Sequence, residues 1–123
     1  MSQEEQLIRL LLPEGVLDYF AITNILHHER EIWIYLEEMN ITPLEYAKDK
    51  LISKGFMEEC SMQDFPIRGK AVHLFIKRRR WFNTGTGQYV TRNWDLVAEG
   101  TRMTKEFAAF LKAILGYNPG KLQ

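Results

Sequence analysis

Lys70-Ala71-Val72-His73-Leu74-Phe75-Ile76-Lys77-Arg78-Arg79-Arg80-Trp81-Phe82 reads as one strand, with Val72, Leu74 and Ile76 on one face and Ala71, His73 and Phe75 on the other. Asn83-Thr84-Gly85-Thr86-Gly87 follows it. Glycine tolerates positive φ at no steric cost and asparagine nearly does, so this stretch predicts a tight hairpin turn. The returning strand is Gln88 to Asp95, and the hairpin sets the chain among proteins built on antiparallel sheet.

Upstream, Glu31 to Glu38 alternates Ile32, Ile34 and Leu36 with Trp33 and Tyr35, the pattern of a strand covered on both faces. Leu17 to Thr23 is expected to pair with it as a hairpin across the polar turn from Leu26 to Arg30. Ser2 and Glu5 form a capping-box pair ahead of Leu7, Ile8, Leu11 and Leu12, a first helix stopped by Pro13-Glu14-Gly15. A short helix can begin at Pro43, and a weak extended pattern lies between Leu51 and Met62. Asp64 to Gly69 reads as a loop anchored by Phe65. At the far end Thr104 can cap a helix whose stripe is Phe107, Phe110, Leu111, Ile114 and Leu115, ended by Gly116 and Pro119. The expected fold is a single α+β domain over residues 1–123. Its antiparallel sheet has about four or five strands, with an amphipathic C-terminal helix packed on it or turned toward a partner.

Composition narrows the function. With 123 residues, 46% of them hydrophobic, the chain can close one core. No run reaches the roughly 18 apolar residues of a membrane span, and Met1-Ser2-Gln3-Glu4-Glu5 is acidic where a secretory signal is basic, so a cytoplasmic protein without membrane contact is expected. Cys60 is the only cysteine, read as a small buried or half-buried hydrophobe. His27, His28 and His73 are too scattered for a metal site, so neither metal nor cofactor is expected. Glu37-Glu38 and Glu58-Glu59, adjacent carboxylates at strand ends, read as solvated; with the isolated Asp18, Asp64 and Asp95 they are not taken as a catalytic set, since a nuclease core needs a larger α/β scaffold, and no catalytic residue is assigned.

The zero net charge conceals a division. Residues 1–66 hold 5 Lys and Arg against 13 Asp and Glu, and residues 67–123 hold 11 against 3. Either a basic face awaits a polyanion or the two halves neutralise each other within the fold. Lys77-Arg78-Arg79-Arg80 sharpens the choice: phosphate suits the forked guanidinium, and Trp81 can stack on a base or shield the contact. Arg92, Arg102 and Lys105 extend the expected nucleic-acid-binding set, with Arg68 and Lys70 flanking it. Two other readings stand beside this one, an edge strand guarded by cations and neutralisation by the acidic half.

Asp64-Phe65-Pro66-Ile67-Arg68-Gly69-Lys70, then Arg78-Arg79-Arg80-Trp81, then Gly100-Thr101-Arg102-Met103-Thr104 with Phe107 resemble the N-terminal region of bacterial insertion-sequence transposases of the Aon type. Leu10 to Gly15 and Asp18-Tyr19-Phe20 fit the same pattern, so the resemblance spans nearly the whole chain. More distantly, the segment is similar to the zinc ribbon that opens another group of transposases. Phe82 to Gly87 stands where that ribbon has its Cys-x-x-Cys knuckle, which implies a zinc-free, ribbon-like hairpin. The resemblance implies a non-catalytic module that contacts DNA at transposon ends, with the catalytic carboxylates on another stretch or another chain. The alternative is a protein-interaction module in which the acidic half and the last helix dock the catalytic transposase subunit.

Overall fold

The computed structural model describes residues 1–43, 46, 50–92 and 102–115. Helix α1 (Gln3–Leu11) starts as expected, the Glu5 amide donating to the Ser2 hydroxyl at 3.1 Å. The chain then winds one short turn, α2 (Val16–Tyr19), before β1 (Phe20–His27). The expected strand at Leu17–Thr23 is thus corrected at both ends. Gly15, at φ 81, begins a helical turn that lasts through Tyr19, and the strand runs on through Leu26 and His27. β1 pairs antiparallel with β2 (Glu31–Glu38), the hairpin anticipated.

The remaining strands are β3 (Leu51–Phe56), β4 (Cys60–Ile67), β5 (Lys70–Lys77), β6 (Arg79–Asn83) and β7 (Gln88–Val90), and α3 (Lys105–Leu115) follows. The fold is α+β with a C-terminal helix, and its strands form two sheets, β1-β2-β5-β4 and β3-β6-β7. Among the described strands all pairings are antiparallel except β2 with β5. β3 with β4 and β5 with β6 make one long bent ribbon, slipping register between Ser53 and Phe56 and again between Asp64 and Ile67. Asp64 to Ile67 therefore belongs to a strand, not a loop. Only Arg68 and Gly69 turn the chain, at φ 53 and 77, the two positive values a two-residue hairpin loop requires.

Arg68 is an unusual occupant of that turn, since a left-handed conformation costs a residue with a Cβ about 1–2 kcal/mol. Arg68→Gly or Arg68→Asn is expected to raise stability by about 1 kcal/mol, read as a higher denaturant midpoint at unchanged slope. A fall in midpoint would mean that the arginine side chain holds the turn.

The main core lies between α1, α2 and one face of the four-stranded sheet: Leu12, Val16, Phe20, Ile34, Leu36, Met62, Val72, Leu74 and Ile76 are buried together. On the opposite face Tyr35 stacks on Phe75 at 4.7 Å and Trp33 lies 5.2 Å from the same ring. Thr104 fastens α3 to β4. Its amide donates to the Gln63 carbonyl at 2.9 Å, its hydroxyl donates to Asp64 at 2.8 Å, and the same hydroxyl accepts from the Phe107 amide at 3.3 Å. Phe65 anchors the segment as anticipated, packing on Phe107 and Phe110, each at 5.3 Å.

Burial raises the pKa of Asp64 above its ordinary 3.8, against hydrogen bonds from Thr104 and the Phe65 amide that lower it. A carboxyl whose folded pKa is raised contributes stability that is full below 3.8 and lost as pH rises through the folded value. Asp64→Asn cannot titrate. The unfolding free energy of the wild type minus that of D64N is therefore expected to grow as pH falls from 7 toward 4, measured by urea titration at each pH. A difference flat in pH would show that Asp64 has an ordinary pKa in the fold.

Candidate nucleic-acid interface

The alternation of β5 does not continue through β6. Val72, Leu74 and Ile76 are buried, but beyond Arg78 it is Trp81 and Asn83 that are buried while Arg80 is exposed. One residue outside either strand shifts the phase of a period-two pattern, and the face a side chain takes is reversed. Arg78 is that residue. Its carbonyl accepts from the Met57 amide at 2.7 Å, its guanidinium donates to the Arg92 carbonyl, and its Nε is buried without a partner among the described residues.

The inward side of β6 converges on Glu38, which is 1% exposed at the end of β2. One carboxylate oxygen accepts from the Arg79 amide at 3.0 Å. The other accepts from Trp81 Nε1 at 3.0 Å and Arg92 Nε at 3.1 Å. Arg79 Nε donates to the Glu38 carbonyl at 2.8 Å, and its Nη1 donates to Ser53 at 2.8 Å. Arg92 also donates to the Ile41 carbonyl and lies over the Tyr19 ring at 4.2 Å. A buried carboxylate with a buried guanidinium and an indole N–H is a satisfied structural set. Trp81 at 1% exposure and Arg92 at 4% present nothing to a ligand, so of the two roles expected of Trp81, stacking on a base or supporting the site by packing, only packing agrees with its burial, and the expectation that Arg92 grips phosphate is corrected. The expectation that Glu38 is solvated along with Glu37 is thus corrected; sequence reading could have found it, because Glu38 continues the phase of Ile32, Ile34 and Leu36 and so is aimed at the core.

The outward side differs. Arg80 is exposed and stands over the Tyr89 ring at 5.0 Å, and Phe82 meets the same ring edge-on at 5.1 Å. Phe82 pairs with Ile52 on β3, two residues before exposed Lys54. The outer face of the small sheet thus interleaves two cations with two aromatic rings and an exposed isoleucine. Beside it lies an open cleft of about 470 Å³ lined by Tyr46, Met57, Arg80, Tyr89, Val90 and Thr91. The hairpin below this face is held by turn chemistry, as the glycines suggested. Asn83 Oδ1 accepts from the Gly85 amide at 2.9 Å and the Thr86 amide at 3.2 Å, and Gly87 takes φ 73.

The other anticipated residues are dispersed. Lys77 is half-buried opposite Glu37 on β2, and Arg102 and Lys105 are exposed beside β4. Cys60 is exposed, not buried, because it opens the edge strand β4, and its thiol faces the Ile76 carbonyl at 3.7 Å. His73 pairs with Glu31 at 3.0 Å. Among the described residues no group of His, Cys, Asp and Glu is arranged to hold a metal ion, and no helix is long and apolar enough to cross a membrane. The short helix expected at Pro43, the end of the strand expected at Gln88–Asp95 and the stop expected at Gly116 and Pro119 lie wholly or partly outside the described residues. No protein-family model, no curated protein and no solved structure matches the chain.

Proposed function

We propose that this chain is a nucleic-acid-binding module without chemistry of its own, the N-terminal part of an insertion-sequence transposase that holds DNA at the element ends. The supporting observation is the outer face of β3-β6-β7, where Lys54 and Arg80 stand among Ile52, Phe82 and Tyr89. Cations set beside an exposed ring, Tyr89, and a half-buried one, Phe82, suit a backbone of phosphates carrying stackable bases. The transposase part rests on the motifs at residues 64–70, 78–81 and 100–107, and the catalytic carboxylates belong in this reading to another stretch or another chain.

A second reading, docking of the catalytic subunit, is favoured by Leu7, Leu10 and Leu11 on α1 and by Phe110, Ile114 and Leu115 on α3, all exposed. Titration with duplex DNA over a range of salt separates the two. A linear fall of log affinity with log salt, roughly 0.9 per phosphate held, is expected for the first reading. Absence of binding to any DNA, duplex or single-stranded, at low salt would reject it and leave the docking reading.

A further inference from the structure

The cleft beside Arg80 differs in kind from a merely cationic surface. It is an open hollow of about 470 Å³, room enough for one planar ring. The rings of Tyr46 and Tyr89 and the thioether of Met57 supply flat and polarizable walls, and the Thr91 hydroxyl supplies a hydrogen-bonding group. The Arg80 guanidinium, held over the Tyr89 ring, places one positive charge at the wall. No carboxylate is among the described lining residues. Tyr89 is 56% exposed, so part of its ring stays open to a ligand beside its contacts with Arg80 and Phe82.

We propose that this cleft receives one unstacked nucleobase of a DNA strand, with Arg80 on the adjoining phosphate. The proposal rests on the nucleic-acid reading above and adds the form of DNA that is bound. A base inside an intact duplex is stacked on both sides and cannot enter a cleft, whereas a base in a single strand or frayed end enters without the cost of unpairing. A flat ring that accepts any base also gives binding that is tolerant of sequence. The module would therefore favour DNA that is already open.

The test compares the full chain on a single-stranded oligonucleotide, the same sequence as a blunt duplex, and a duplex with an unpaired tail, by fluorescence anisotropy at one salt concentration. Single-stranded and tailed DNA are expected to bind about tenfold more tightly than the blunt duplex, within what stacking of one base on an aromatic ring supplies. Tyr89→Ala and Tyr89→Leu should abolish that ratio, and Tyr89→Phe should keep it. The leucine variant retains apolar bulk at an exposed position and so guards against loss of fold. A 2-aminopurine placed in the tail should lose fluorescence on binding to the wild type and retain it with Tyr89→Leu.

Equal affinity for the three DNAs, or a ratio that survives in both Tyr89→Ala and Tyr89→Leu, would overturn the proposal. So would displacement of the oligonucleotide by an equal concentration of a mononucleotide, which would make the free nucleotide the ligand. Duplex binding with the expected salt dependence but no preference for open DNA would reject the cleft alone. No binding to any of the three would reject the nucleic-acid reading itself.

Discussion

Glu38→Ala is expected to lower the unfolding free energy by about 3–5 kcal/mol, the usual cost of removing one partner of a buried ion pair. The substitution leaves the Arg92 guanidinium, 4% exposed, without its carboxylate, and leaves the Trp81 N–H and the Arg79 amide without an acceptor. Domains are stable by only about 5–15 kcal/mol, so the variant should lose a large share of its stability at 25 °C. Glu38→Gln should lose less, since the amide oxygen can still accept one of these donors while the charge of Arg92 goes unanswered. Glu37→Ala supplies the control. Its side chain is on the opposite face of β2 with Lys77 as register partner, and the loss should stay below about 1 kcal/mol. Urea midpoints and slopes of the three variants decide the matter. Equal losses for Glu37→Ala and Glu38→Ala would mean that the Glu38 cluster does not carry the fold.

Lys54→Ala with Arg80→Ala is expected to leave the urea midpoint nearly unchanged and to make the dependence of log affinity on log salt shallower by roughly 1.8, two phosphate contacts at about 0.9 each. Both side chains are exposed, and neither takes part in the Glu38 cluster. Arg79→Ala is the contrasting variant. That guanidinium serves Glu38, Ser53 and the Phe56 ring, so its loss should lower stability and leave the salt dependence as it was. An unchanged slope in the Lys54, Arg80 double variant would remove the outer sheet face from the DNA-binding reading, whatever its effect on affinity.

Those opposite expectations for neighbouring arginines mark the limit of what was legible in the sequence. Alternation over Glu31–Glu38 and Lys70–Lys77 identified the two central strands, and capping residues placed α1 and α3, because these signals are local and periodic. The Asn83 turn was legible for the same reason. The phase change at Arg78 was not, since a break of one residue between two sheets leaves the composition of the segment looking like one strand. It decided which arginines face water. Residues 67–123 are rich in cations, and the acidic half does neutralise part of that charge: among the described residues Glu38 of β2 takes the buried Arg92 guanidinium. Lys54 and Tyr89, far apart in the chain, meet on one sheet only through β6, and nothing in either local stretch announces it.

The Glu38 cluster also sets a timetable. Its members are β2, β6 and a residue beyond β7, with Glu38 and Arg92 separated by 54 positions. β2 can pair with β1 as soon as both exist, but its other edge waits for β5, a parallel neighbour reached only after the chain has passed through β3 and β4. At translation rates of about 5–20 residues per second, roughly 3–11 s separate the synthesis of Glu38 from that of Arg92. Until β5 has been made, the growing polypeptide carries a half-paired strand bearing Ile34 and Leu36, and until Arg92 follows it carries a carboxylate destined for the interior without its buried cation. Completion of the Glu38 cluster is therefore a late event in biosynthesis, and the nascent chain has an open strand edge on β2 until β5 emerges.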